Sequence, residues 1–397
     1  MSPKIAFIRR GRVPLVSEKI AHELQQQFPD YELDTIDITD LIKSKKTLLI
    51  ANALHTIKEY GPSVLLSKSR FRNYFFRTTY LFKQIKALMA KRLNPDDYKF
   101  SFQMQSLFDA SVTGLPHFIY TDHTALANLD YPDFNKRSFY SNAWLNLELT
   151  IYQNASLVFT RSHNITRSVV EKYYCPSNKV VCVYAGSNAH ITNPGERDYS
   201  QKNILFVGLD WERKGGPELV EAFKTVLQSH PDAQLTIVGC SPTIDVPNCN
   251  VVGSVPLEQV ASYYKNATLF CLPTKLEPFG VVFIEAMSYK LPVIATNVGA
   301  IPDFVIDDQN GYLVQPNNVT QLATALTALL DNPQKCQAFG EMGYRIATEK
   351  YTWTNTGNLM EQNIVQVLDK FKVKLARPNE SRSLPTLTNL SPENFIF

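Results

Sequence analysis

The chain is predicted to be an α/β protein of two Rossmann-like domains, each a doubly wound parallel sheet. Three observations carry that expectation. At 397 residues the sequence is too long for one ordinary core and suits two domains of roughly 150 to 200 residues. Strand-like and helix-like segments alternate along both halves, as parallel sheets with crossover helices require. Between the halves, Asn193-Pro194-Gly195 through Gln201 is polar and turn-rich, a linker composition. The domains are placed at residues 1–195 and 196–375, with 376–397 a flexible tail rich in Ser, Pro, Thr and Asn.

In the first half the strand-like runs are Lys4 to Ile8, Tyr31 to Ile36, Phe118 to Thr121 and Ala155 to Thr160, with a helix over Leu15 to Phe28. The second half is clearer. Asn203 to Val207, Gly215 to Leu227, Gln234 to Val238, Leu257 to Tyr264, Thr268 to Leu272, Val282 to Tyr289 and Pro292 to Ala295 read as strand, helix, strand, helix, strand, helix, strand. A last helix around Trp353 to Phe371 is expected to cross back toward the first domain.

Charge divides along the same line. Residues 1–195 hold 24 Lys and Arg against 16 Asp and Glu, a net of +8, whereas the remainder holds 16 against 21, a net of −5. That asymmetry bears on partners more than on fold. Six cysteines without a C-x-x-C pair or metal-ligand spacing read as free thiols in a reducing compartment. A strand begins at once at the amino terminus, with no signal architecture, and no apolar run reaches about 18 residues. The expected location is the cytoplasm, or the cytosolic face of a membrane.

The chemistry concentrates in Glu277-Pro278-Phe279-Gly280 and Glu285-Ala286-Met287. The apolar run Ala267 to Pro273 reads as a buried strand and Val281 opens a helix, so the glutamates sit at a strand-to-helix junction. Eight positions on a helix make about two turns, so the two carboxylates can address different parts of one extended polar ligand near free helix amides. A solvated helix face is the common setting for a glutamate pair. Glu285, however, lies inside the apolar run Val281 to Met287, where an unpartnered charge is costly.

A second motif, Phe206 to Pro217, is a strand end followed by Arg213-Lys214-Gly215-Gly216-Pro217 at the mouth of a helix. A forked guanidinium, a compact ammonium and a helix dipole together suit a diphosphate. No Asp-x-Asp metal site is evident, which is consistent with cations in place of magnesium.

The glutamate segment and the Arg213-Lys214 loop resemble those of nucleotide-sugar glycosyltransferases of glycosyltransferase family 4. The resemblance implies the GT-B fold and metal-independent, retaining transfer of a hexose from a UDP-hexose or GDP-mannose to a hydroxyl of a glycolipid or polysaccharide. It places Glu277 and the Phe279-Gly280-Val281 backbone at the donor sugar, Glu285 on the ribose hydroxyls, and Arg213 and Lys214 on the leaving diphosphate. Gly239, with Val255 in Val252 to Pro256, falls where the family packs the nucleobase, although structural turns explain those glycines equally well. His123, ending Phe118 to Thr124, matches the family's histidine at the donor sugar. Gly11 falls where members carry two or more glycines near the phosphates; here one glycine stands among Arg9, Arg10 and Arg12, which could help bind an anion.

Lys68 to Arg92 carries eight cations and no acidic residue, with Phe71, Phe75, Phe82, Ile85 and Met89 on one helical stripe. Such a segment suits an anionic membrane surface, or else packs on its own sheet with its cations solvated. No nucleic-acid partner and no cofactor or metal is expected. A nucleotide-sugar epimerase, turning over donor alone, and a non-catalytic nucleotide-sugar binding protein are the alternatives.

Overall fold

The computed structural model of the protein describes residues 3–11, 16–132, 134–136, 139–187 and 194–376. Arg12, the start of the expected linker at Asn193, and the tail from 377 lie outside them.

β1 (Lys4–Arg9), β2 (Glu32–Asp37), β3 (Tyr98–Met104), β4 (His117–Thr121), β5 (Leu157–Thr160) and β6 (Val180–Cys182) form one parallel sheet in the order β2-β1-β3-β4-β5-β6. β7 (Asn203–Val207), β8 (Gln234–Val238), β9 (Cys249–Gly253), β10 (Leu269–Leu272), β11 (Val293–Thr296) and β12 (Gly311–Val314) form a second, ordered β12-β11-β10-β7-β8-β9. This is the GT-B architecture, two Rossmann-like domains facing each other.

Helices cover both faces of each sheet, which is why the central strands read as continuous apolar runs. Every residue of β4, β5, β10 and β11 is buried. Across the first sheet, Phe7 stacks on Phe102 and Phe102 on Phe159, each pair with ring centroids 6.2 Å apart. Four strands, β3, β6, β9 and β12, escape the sequence reading. β3 alternates Phe100, Phe102 and Met104 with Ser101 and Gln103, yet both faces are buried, because Ser101 Oγ meets His117 Nδ1 at 2.8 Å and Gln103 Oε1 accepts from Ala110 N–H at 3.0 Å. β6 and β12 are only three and four residues long.

The basic segment corrects the expectation of one amphipathic stripe. It is two helices, Lys68–Phe75 and Thr79–Arg92, because the Ser67 and Thr78 hydroxyls each cap a new amino terminus by accepting from Arg70 N–H and Leu81 N–H. Ile85 and Met89 pack with Ile8, Ile36 and Ile42 over the first sheet, and Phe82 joins the core around Trp144. The stripe therefore faces inward. Lys68, Arg70, Arg72, Lys83, Lys91 and Arg92 remain exposed, whereas Lys86 pairs with Asp109 at 2.7 Å. Apolar exposure lies nearby instead, at Ile50, Leu54, Leu65 and Leu66. No described helix is long and apolar enough to cross a membrane.

The helix Trp353–Ala376 leaves the second domain for the first. Trp353 Nε1–H donates to the Ser187 carbonyl at 2.9 Å, Thr356 Oγ1–H to the Val183 carbonyl at 3.1 Å, and Asn358 Oδ1 accepts from Gln27 at 2.8 Å.

Candidate active site

In the second sheet the chain reverses its winding between β7 and β10, which are hydrogen-bonded neighbours. Helices leaving such a pair depart to opposite faces and open a crevice at the strands' carboxyl ends. Both motifs emerge there. The loop after β7 carries Arg213 and Lys214, and the loop after β10 carries Glu277.

The loops are stitched together before any ligand is considered. Lys275 N–H donates to the Arg213 carbonyl at 2.9 Å, and Arg213 Nη1–H donates to the Leu276 carbonyl at 2.8 Å. Gly215, at φ +73°, has its Cα so close to Pro273 that a Cβ would fall 2.0 Å from the Pro273 oxygen. Only glycine allows that approach, and the helix Gly216–Ser229 starts from it.

Lys214 Nζ forms an ion pair with Glu277 Oε2, and both side chains are largely buried, at 12% and 7% exposure. Arg213 behaves differently. Its Nε–H reaches the Asp210 carboxylate at 3.2 Å and its side chain is 37% exposed. The adjacent cations assigned to one diphosphate are thus unequal: Lys214 is held inside against the glutamate, and Arg213 stands at the rim. An ammonium has three donors, so Lys214 retains capacity for a ligand anion while Glu277 positions it.

Glu277 precedes the helix Val281–Ser288, whose amino cap is Gly280 at φ +95°. The two-turn spacing is therefore a turn plus part of a helix, which puts the glutamates on separate pieces of backbone. Glu285 is 4% exposed, and its Oε2 accepts from Tyr264 Oη–H at 3.1 Å. Burial pushes its carboxyl up to about 7, the tyrosine hydroxyl pulling the other way. The Phe279 ring is buried against Phe304 and Tyr351, so the backbone is what the Phe279 to Val281 turn presents. Gly239 N–H donates to the Gly253 carbonyl at 2.8 Å, and its left-handed φ of +102° brings it against Gly208, a packing role. Val255 is half-buried just beyond β9.

Across the cleft, β4 ends in Thr121 and delivers His123. Asn128 Nδ2–H donates to the Ala125 carbonyl at 2.9 Å, which turns Asn128 Oδ1 toward His123 Nε2 at 3.0 Å. That assigns the His123 proton to Nε2 and leaves Nδ1 as an acceptor, buried and without a partner among the described residues. Burial also lowers the His123 pKa, favouring the neutral ring. His123 lines a cavity of about 110 Å³ with Arg77, Gln105, Asn128 and Tyr140. Gly11 is engaged elsewhere: its N–H donates to Asp37 Oδ1 at 2.9 Å.

Tyr131 joins the two sides. Its ring centroid is 6.3 Å from that of His123, and its hydroxyl donates to the Glu277 carbonyl at 3.1 Å. With Phe134, Arg213 and Lys275 it lines a cleft of about 340 Å³. Nothing in Asp130-Tyr131-Pro132 marks the residue beyond a turn, and Tyr264 and Asn128 were equally silent, because each acts through a partner distant in sequence or on another element.

Residues 190–346 match the family model of glycosyl transferases group 1. The match spans β7 to β12 and both loops of the crevice. Curated relatives include a D-inositol 3-phosphate glycosyltransferase of Corynebacterium aurimucosum, 26% identical over 54% of this chain and 58% of that protein. The capsular polysaccharide biosynthesis glycosyltransferase CapM of Staphylococcus aureus is 29% identical over 50% of this chain and 58% of its own length. The chain spans between 40% and 59% of the length of curated relatives such as these. Among solved structures, sucrose-phosphate synthase from Thermosynechococcus elongatus superposes with a TM-score of 0.62 at 18% identity, over 93% of this chain and 100% of that one. Anabaena HepE in complex with UDP and glucose gives 0.59 at 14% identity, over 91% and 99%. At these identities the structural likeness speaks to the fold, and the glycosyltransferase match supports a transferase.

Proposed function

We propose that the chain transfers a hexose from a nucleotide-diphosphate sugar, UDP-hexose or GDP-mannose, to a hydroxyl of a glycolipid or polysaccharide, in the manner of retaining family 4 enzymes and without a metal. The observation that carries this reading is the buried Lys214 and Glu277 pair at the β7/β10 crevice, faced by neutral His123 across Tyr131. Lys214 and Arg213 take the leaving diphosphate, Glu285 the ribose hydroxyls, and Gly239 and Val255 flank the base. The Phe279 to Val281 backbone, Glu277 and His123 hold the sugar. Catalysis is then positioning plus charge stabilisation, with no obvious covalent nucleophile among these groups.

The domains remain assigned as 1–195 for acceptor and 196–375 for donor. Lys68, Arg70 and Arg72, beside exposed Leu65 and Leu66, are the part of the first domain that would meet an anionic membrane from the cytosolic side. The deciding experiment is a screen of UDP-sugars and GDP-mannose for turnover with and without acceptor. Acceptor-dependent release of nucleoside diphosphate supports transfer. Conversion of donor to an isomeric sugar nucleotide with no acceptor identifies an epimerase and overturns it.

A further inference from the structure

The first sheet has a reversal of its own, between β1 and β3, which are hydrogen-bonded neighbours although β2 separates them in sequence. Doubly wound sheets receive ligands at the carboxyl ends of such a pair. β1 ends at Arg9 and β3 at Met104, so Arg10 and Gln105 stand at that point. They line one small recess together with Arg161. Gln105 also lines the adjoining 110 Å³ cavity, where Arg77 faces His123 and Asn128.

Both arginines lie over aromatic rings. The Arg10 guanidinium lies 4.4 Å from the Phe76 ring centroid, and that of Arg77 lies 4.5 Å over Tyr140, with its Nη1–H donating to Asn73 Oδ1 at 2.6 Å. Several groups around them want partners: Arg77 Nε, Arg161 Nε and Gln105 Oε1 are buried and unpaired among the described residues. Carboxylates are few. Asp122 is taken by Arg161 Nη1 at 3.2 Å. Glu148, in the wall of the cavity, accepts from Tyr173 Oη–H at 2.5 Å and Ala125 N–H at 3.1 Å, and burial pushes its carboxyl up to about 7. Among the described residues none of Arg10, Arg72 and Arg77 forms an ion pair. Burial, reinforced by repulsion from Arg77 and Arg72, brings the Arg10 guanidinium down to about 10. Cations gathered without counter-charge in a desolvated place cost stability unless an anion joins them.

We infer that the acceptor carries a phosphate group, bound between Arg10 and Arg77 at the β1/β3 crevice, with its hydroxyl held toward His123 and the donor. This rests on the transferase reading and names the class of its acceptor. Planar guanidinium forks suit phosphate oxygens. Gln105 connects the recess of Arg10 to the cavity in which Arg77 and His123 stand. The phosphate belongs either to a soluble sugar or polyol ester or to a lipid headgroup.

The test titrates the full chain, first saturated with UDP or GDP so that Arg213 and Lys214 are occupied, with inorganic phosphate by calorimetry. Saturable binding is expected, weakened at least tenfold by Arg10→Gln and by Arg77→Gln and unchanged by Lys83→Gln, an exposed cation outside the recess. Because Arg77 also anchors Asn73, Arg10→Gln is the deciding variant, with its melting temperature measured alongside. Competition by glycerol 1-phosphate supports a soluble phosphate ester. Competition by phosphatidylcholine vesicles containing phosphatidylglycerol, but not by phosphatidylcholine alone, supports a lipid headgroup. No phosphate binding by the nucleotide-loaded protein, or unchanged binding by a folded Arg10→Gln, overturns this inference alone. Failure to bind either nucleotide overturns the transferase reading and this inference with it.

Discussion

The Tyr131 hydroxyl, from the first domain, donates a 3.1 Å hydrogen bond to the backbone carbonyl of Glu277 in the second. The carboxylate of the same glutamate is paired with Lys214, so one residue both anchors the cation and receives the opposite domain. Tyr131→Phe removes the bond and little else. A net hydrogen bond of about 1 kcal/mol corresponds to roughly a fivefold change in rate. Steady-state kinetics should show turnover falling by about that factor with donor affinity nearly constant; a drop confined to donor affinity would place Tyr131 in ground-state binding instead.

Lys214→Ala and Glu285→Ala should each reduce donor turnover by roughly 10² or more, the scale of losing a preorganised charge partner. Nucleoside diphosphate release measures this, with a thermal melt to show that each variant folds. Wild-type turnover in both would remove the crevice from consideration as the active site.

Burial makes Glu285 sensitive to pH near neutrality. Its carboxyl is raised from 4.5 to about 7 in the folded chain, so the native state favours the protonated form. Stability from this group is greatest below pH 4.5 and declines as pH climbs to about 7. Glu285→Gln should therefore melt a few degrees above wild type at pH 8, with the gap closing toward pH 4. The ionised carboxylate is the better ribose acceptor, so donor KM in wild type should rise as pH drops from 8 to 6. A flat KM profile would deny Glu285 that contact.

Gly299 backs the Glu277 turn at φ +56°, where a Cβ would lie 2.1 Å from the Glu277 oxygen and 2.7 Å from the Tyr131 hydroxyl. Gly299→Ala should cost about 1–3 kcal/mol in stability and lower turnover further than Tyr131→Phe does. Chemical denaturation and kinetics on both variants check the ranking.

Leu66 is 83% exposed beside a helix bearing Lys68, Arg70 and Arg72. Leu65→Ser combined with Leu66→Ser should reduce flotation with vesicles containing anionic lipid, while vesicles of neutral lipid alone bind weakly in either case. Equal flotation of variant and wild type would move the membrane contact elsewhere or abolish it.

The second domain was legible in four of its six strands, because β7 and β10 are apolar on both faces, β8 carries Leu235, Ile237 and Val238, and Gly or Pro follows each. β3 was not, since Ser101 and Gln103 are buried with their hydrogen bonds made internally, and nothing local distinguishes them from solvated residues. The same holds in the site. Lys214, Glu277 and Glu285 stand in short motifs whose chemistry is local, whereas Tyr131 contributes through a contact 146 positions away in sequence. The inward turn of Ile85 and Met89 was one of two open readings for a related reason: a stripe of apolar residues does not declare which surface it covers.

The crossing helix Trp353–Ala376 has a consequence for synthesis. A ribosome that has released the first sheet has not yet made Trp353, Thr356 or Asn358, which pair with Ser187, Val183 and Gln27. The first domain thus waits for a helix that follows the whole second sheet to complete its surface. Folding from the amino terminus cannot finish in order, and premature termination before the crossing segment leaves an incomplete first domain as well as a shortened second one.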